Sequence, residues 1–564
     1  MAIFGKALIS IAALTLAYGS LSAAPLDEAS RHTIIQLICN GKDATSVEFY
    51  RSRSGKGVQD YSMMREMGFA VLERDALSSE PLVQRLAFFG IGLTADEQAV
   101  AFFHEVVKSP NPELQLFALQ QLCRYHDIAV LGYLNRAMSS PYILMRLEAA
   151  FLLAEGNYPR ALSQIEALMS KCPDLILPIF SEMLAQIGSE GAQQILRKQL
   201  MHPSQQVRLA AVQAITRHKF DKHVPYIRTL ATQRDQAQEE ACAFALGVFK
   251  DASAAPLLVK ISNSAVAETA LAASLSLYRL GQTSYQKNIS NLANQGNIFA
   301  IQALAQCDNA KDDLYQLYQR GDSTIRLNAA VALLSLKDRR APSMMIDFLS
   351  PATPNPPILK VMSPGKSLYC YKTVPLSAYD TPDWDIASEL YLQEREQWLQ
   401  ECYNCSETAF LQLAQQLIQR RQNDLIPALF AILQASTSEE SLQLIQKLKE
   451  IPGYPLVRNY ALVALLRKGE KATAYAKLKE WTLEQSKLDI LTFRPSLNHL
   501  QAFDNEAIQT DLNPSDTAKL FLDSLEALIA EQDEESIQFL LEGLATSHRS
   551  LHPIFAALLV RLTQ

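Results

Sequence analysis

Two cysteines three residues apart, in Cys402-Tyr403-Asn404-Cys405, form the densest reactive motif in the chain. A CxxC pair exchanges disulfides when it follows a strand and opens a helix within a βαβ unit. Here helical patterns flank the pair on both sides, and no such unit surrounds it. A zinc ribbon needs a second matched pair, which Cys370 alone does not supply. The expectation is a structural disulfide, Cys402–Cys405 or either one with Cys370, formed in an oxidising compartment. Free thiols, or redox and metal chemistry, are the alternatives. His202, His218 and His223 lie near one another, but no HExxH spacing accompanies them, so they are expected on turns or the surface. GxSxG, P-loop and GxGxxG motifs are absent from the sequence. No catalytic, cofactor-binding or metal-binding residue is assigned, and no cofactor is expected.

The elements that would carry these residues show themselves as a repeat. From Gln84 the chain recurs every 31 residues, at Gln115, Arg146, Leu177, Arg208, Glu239 and Ala270. Two further copies follow at shorter spacing, from Asn297 and Arg326. Three residues on stand Ala87, Ala118, Ala149, Phe180, Ala211, Cys242, Ala273, Ala300 and Ala329. Seven residues on stand Ile91, Leu122, Leu153, Leu184, Ile215, Leu246, Leu277, Leu304 and Leu333. These two slots lie one helical turn apart and share a face. A small residue admits the neighbouring helix, and the aliphatic one fills the space between layers. Ser109-Pro110, Ser140-Pro141 and His202-Pro203 precede the register and read as helix N-caps followed by a first-turn proline. A second amphipathic helix follows each register helix, as in Asp127–Met138, Tyr158–Ser170, Gly188–Leu200, Lys222–Gln233 and Ala252–Ile261. A period in this range is the signature of a stacked α-solenoid, an all-α fold.

With these strings in view the chain resembles the HEAT-repeat family, in the short form also seen in phycobilisome (bilin) lyases. Val207-Arg208-Leu209-Ala210-Ala211, Met145-Arg146-Leu147-Glu148-Ala149-Ala150 and Ile325-Arg326-Leu327-Asn328-Ala329-Ala330 carry the likeness, with Ala254-Ala255-Pro256-Leu257-Leu258 as a first-helix opening. The resemblance spans roughly residues 79 to 349 and implies a fold more than a function. The family's Asp ahead of its Arg has a counterpart in Asp322, whereas Ser204 and Tyr142 replace it elsewhere. Arg146, Arg208, Arg326 and Arg458 share one register position. They read as arginines bonded to turn carbonyls or a neighbouring carboxylate rather than as a ladder for an acidic ligand.

The first 24 residues read as an export signal: Lys6, an apolar run from Ala7 to Tyr18, then Ser22-Ala23-Ala24. That run is too short to span a bilayer, and no later run is long enough. Residues 25–78 are expected to form an N-terminal helical cap, with helices Leu26–Cys39 and Val58–Arg74 around a polar loop. The array proper covers 79–349. A proline-rich linker or insertion occupies 350–384, with an extended stretch near Lys366–Pro375. Divergent helical repeats, with registers at Leu425 and Arg458, fill 385–564. A formal net charge of −7 without a long basic run disfavours nucleic acid. The reading is therefore an exported, non-enzymatic scaffold that binds protein along the solenoid's concave surface. It would reside in the periplasm or cell envelope. The runner-up is a lyase or isomerase resembling the bilin lyases, and a secreted effector acting on foreign proteins is a third possibility.

Overall fold

The computed structural model describes residues 26–54, 59–125, 129–233, 235–350, 358–362, 371–375, 386–494, 511–512 and 515–564. The expected export signal, Cys370 and most of the proline-rich segment lie outside them. The described chain is overwhelmingly helical, as the repeat requires. Two short antiparallel pairs interrupt it, Ile358–Met362 with Tyr371–Pro375 and Phe493–Arg494 with Asp511–Leu512. The first pair contains the second half of the extended stretch expected at Lys366–Pro375. Two compact units result: residues 100–478 with 493–527, and residues 1–99 with 479–492 and 528–564.

The nine register triplets fall in nine helices: Pro81–Thr94, Pro112–Arg124, Ile143–Glu155, Leu177–Ile187, Gln205–Arg217, Gln236–Val248, Ala267–Arg279, Ile298–Leu304 and Ser323–Ser335. Every +3 residue, from Ala87 to Ala329, is 0% exposed, and no +7 residue exceeds 1%. Within the larger unit these helices stack on one another in chain order from Pro112–Arg124 onward. The shorter helices Val130–Ala137, Ala161–Met169, Glu190–Gln199, Val224–Leu230, Ala255–Ile261, Gln286–Asn294 and Lys311–Arg320 alternate with them and pack on the register layer. The stacking does not stop at the proline-rich segment. Helix Ser323–Ser335 contacts helix Ile386–Cys405, which contacts Ile426–Ala435, which contacts Pro455–Arg467. Buried Arg395 fastens this passage, donating to the Leu349 carbonyl and the Asp424 carboxylate. In the repeat from Leu425 the small slot slips by one, with Ala428 half-buried and Leu429 in the buried position, whereas in the repeat from Arg458 Ala461 keeps the slot, 0% exposed.

Both ends of each register helix are built from repeated local bonds. The Ser-Pro and His-Pro pairs do not cap as expected, because each helix begins three residues beyond its Ser or His. Ser109 and Ser140 Oγ instead accept from the amide two residues on, and His202 Nδ1 does the same for Ser204. The pair thus builds the turn. Its carbonyl then receives the register residue: Gln115 Nε2 donates to Ser109 O at 2.5 Å, Arg146 Nη1 to Ser140 O at 2.6 Å and Arg208 Nη1 to His202 O at 2.8 Å. At the other end the +7 carbonyl closes a Schellman motif. Leu153, Ile215, Leu246, Leu277 and Leu333 accept from the amides of Tyr158, Phe220, Asp251, Gln282 and Asp338. The preceding residue must be left-handed, which suits Gly281 but strains Lys219, Lys250 and Lys337, at φ 56°, 52° and 53°.

The smaller unit joins the two ends of the chain. Residues 43–53, expected as loop, form helix Asp43–Arg53 with Val47 and Tyr50 in its core. Helix His552–Leu562 packs on Tyr61–Ala76 and Pro81–Thr94, and Glu534–Thr546 packs on Asp43–Arg53. Residues 528–564 thus complete the N-terminal unit, whereas the sequence suggested the end of a second array. Gly68 and Gly90 make this contact possible. A Cβ on Gly68 would sit 2.5 Å from Val560 Cγ2 and 2.8 Å from Ala556 O, and one on Gly90 2.8 Å from Pro553 O. Beside them Arg74 binds two buried carboxylates, through Nη1 to Asp43 at 2.5 Å and Nε to Asp75 at 2.7 Å. His552 Nδ1 meets Asp43 Oδ2 at 2.5 Å, and Arg549 Nη2 reaches Asp75 at 3.5 Å.

Candidate interaction face

With +3 and +7 buried, the register helices offer other positions to solvent. Positions +5 and +9 project from the same helices one turn apart. In successive copies they hold Gln120 and Arg124, Phe151 and Glu155, Glu182 and Gln186, Gln213 and Arg217, all half-buried or exposed. Side chains there link neighbouring repeats. Glu182 accepts from Arg217 Nη1 at 2.5 Å and faces His218 Nε2 at 3.0 Å. The Arg279 guanidinium lies 4.6 Å over the Phe244 ring and donates through Nη2 to Gln306 Oε1 at 2.6 Å. Arg467 Nη1 repeats the pattern at 3.4 Å from Gln434 Oε1. Sequence reading did not single out these positions, because their residue types vary. Their constant spacing from the register was the available signal.

The residues marked from the sequence sort themselves by burial and bonding. Three of the four arginines at the register position bond or stack within the fold. Arg146 and Arg208 donate to turn carbonyls, Arg208 also reaches Gln238 Oε1 at 2.7 Å, and Arg326 lies 5.0 Å over the Tyr318 ring. Arg458 is exposed. Cys402 and Cys405 are free thiols in the last turn of helix Ile386–Cys405. Cys402 is fully buried and Cys405 half-buried, its Sγ 3.6 Å from Leu334 O. Burial, with neighbouring negative charge, pushes both thiols up. That placement at a helix C-terminus is the reverse of what activates a CxxC thiolate.

The three histidines part company. His202 belongs to its turn. His218 and His223 come together through Phe220, whose ring centroid lies 5.9 Å from one and 6.5 Å from the other. His223 is buried with neither ring nitrogen hydrogen-bonded, and desolvation, with Arg197 and Lys222 nearby, pushes its pKa down. One residue escaped notice in the sequence because it sits inside a HEAT-like string. Glu148 is 4% exposed in a slot that holds Leu86 and Ala241 in other copies. Its Oε1 has no hydrogen-bond partner, and burial, with Glu155 adding, pushes its carboxyl up to about 7. Among the described residues no group of three His, Cys, Asp or Glu is placed to hold a metal ion, and no helix is long and apolar enough to cross a membrane.

Comparison with known proteins turns on the helices around this face. Residues 194–277 match the HEAT repeats family. That segment carries HEAT repeats. Within the larger unit the stacked register helices form an α-solenoid. The chain is similar in structure to the CpcE–CpcF complex of phycocyanin lyase from Nostoc sp. PCC7120, at 20% identity over 38% of this chain and 92% of that one, with a TM-score of 0.30. It is also similar to yeast importin-beta (Kap95p), at 11% identity over 95% and 85%, TM-score 0.35. UNC-45 from Drosophila melanogaster gives 13% identity over 95% and 82%, TM-score 0.33. No curated protein matches the sequence.

Proposed function

We propose that this HEAT-repeat chain is a non-enzymatic scaffold that binds a protein partner through the +5 and +9 positions of its register helices, and that it does so outside the cytoplasm. The observation that carries the reading is the register itself. It buries the same two positions in every copy, and in the four copies from Gln115 to Arg208 it leaves both +5 and +9 half-buried or exposed, whereas Phe244, Leu275 and Val331 are buried at +5 in later copies. A stacked array with varied side chains on a fixed lattice suits an extended protein surface. The columns mix Gln, Arg, Glu and Phe, which fits a partner with both polar and aromatic contacts. The apolar run before Gly19 supports the export part of the proposal.

A photo-crosslinking residue placed at Gln213 or Phe151 should capture one discrete partner from the envelope fraction. The same probe at exposed Val259, on the alternating helix Ala255–Ile261, should not. Equal capture from both positions, or from neither, would sink the reading. Alkylation and intact-mass measurement of the protein recovered from that fraction tests the export half separately. It reports whether the first 24 residues are gone and whether Cys402 and Cys405 are joined, which an oxidising compartment would favour.

A further inference from the structure

We infer that the two ends of the chain close last, and that the C-terminal segment Glu534–Leu562 acts as a clasp without which the N-terminal helices do not reach their folded state. Three observations converge on this. First, the repeats are held by contacts about 31 residues apart, whereas Gly68 meets Ala556 and Val560 across nearly the whole chain. Local contacts form first, because closing a long loop costs entropy before its contacts repay it. Second, helix His552–Leu562 is buried from Pro553 to Val560, so it forms the core of the N-terminal unit rather than a cover on it. Without it, helix Tyr61–Ala76, whose Met64, Met67, Val71 and Leu72 are buried in the finished unit, would lose a helix that packs on it.

Third, the charges balance only when both ends are present. Asp43 and Asp75, each almost fully buried, share the single guanidinium of Arg74 within the N-terminal helices. The C-terminal segment brings Arg549 to Asp75 and His552 to Asp43. Until it arrives, two carboxylates in an apolar setting face one cation, which disfavours the folded arrangement.

Refolding of the full-length mature chain from denaturant, followed by pulsed hydrogen exchange and mass spectrometry, tests the order. Amides of Tyr61–Ala76, Pro81–Thr94 and His552–Leu562 should gain protection together, on the order of tenfold or more later than those of Gln205–Arg217 and Gln236–Val248. Protection of Tyr61–Ala76 before His552–Leu562, or a single phase for all five helices, would overturn the inference. The variant Gly68→Leu should strip protection from all three end helices while leaving the two repeat helices unchanged. Loss confined to His552–Leu562 would show that the N-terminal helices stand without the clasp.

Discussion

The 31-residue array and the unit formed by the chain ends solve one packing problem in opposite ways. Both bring a helix close to its neighbour through a small residue. In the array that residue is an alanine in seven of the nine copies, and its partner lies one repeat away. At the chain ends it is Gly68 or Gly90, the partner lies near the other terminus, and an ion network with two buried carboxylates sits beside the contact. Repetition therefore lets the array tolerate exchange of one small residue for another. The closure depends on particular residues, each of which occurs once.

The largest effect should come from the closure. Arg74→Met leaves Asp43 and Asp75 buried beside Arg549 and His552 alone, and should cost about 3–5 kcal/mol. Urea unfolding with hydrogen exchange should assign that loss to residues 61–94 and 552–562, not to the repeats. Uniform loss along the chain would erase the contrast between the regions. The closure should also fail in acid. Burial raises the Asp43 carboxyl, but hydrogen bonds from His552 and Arg74 outweigh it and hold the group below its ordinary value. A lowered folded-state pKa gives stabilisation that is full above the ordinary carboxylate value of 3.8 and is lost as pH falls through the lower folded value.

The array carries the opposite pH signature at Glu148. Its carboxyl is raised from 4.5 to about 7, so the folded state holds the proton more tightly than the unfolded one. Stability should therefore decline as pH rises from 4.5 to about 7, by about 3 kcal/mol in all. Glu148→Gln should flatten that decline while leaving the acid limb set by Asp43 in place, which thermal unfolding across pH would separate. Overfilling the small slot should cost less. Ala211→Leu or Ala273→Leu forces apart helices at a fully buried position, for about 1–3 kcal/mol. If either leucine is accommodated without loss, the slot is not what sets repeat spacing. The smallest effect should be favourable. Lys219→Gly and Lys250→Gly relieve a left-handed residue at a Schellman end and should each add about 0.5–1 kcal/mol, read as a raised Tm.

What was legible in the sequence follows the same division. The nine register triplets named their helices and their buried residues because each contact recurs at a fixed short offset. The slip from Ala428 to Leu429, and the turn rather than cap at Ser109 and Ser140, escaped because they depend on carbonyl positions that residue types do not reveal. Helix Asp43–Arg53 reads as polar loop because Asp43 finds its partner in Arg74, outside any local window. Nothing near Gly68 in sequence announces Ala556. Among the site residues, the structural role of Arg146 and Arg208 was readable from their recurrence. Glu148 was not, since a Glu in a HEAT-like string is ordinarily a surface residue.

Arg395 has a practical corollary. It ties Leu349, the last residue before the proline-rich segment, to Asp424 beyond it, and helix Ser323–Ser335 already touches helix Ile386–Cys405. The paired strands Ile358–Met362 and Tyr371–Pro375 add to this fastening, the first packing on helices Ile298–Leu304 and Ser323–Ser335 and the second on Ile386–Cys405. An affinity tag or foreign epitope grafted into that interval must therefore spare both strands if the register stack is to keep its spacing.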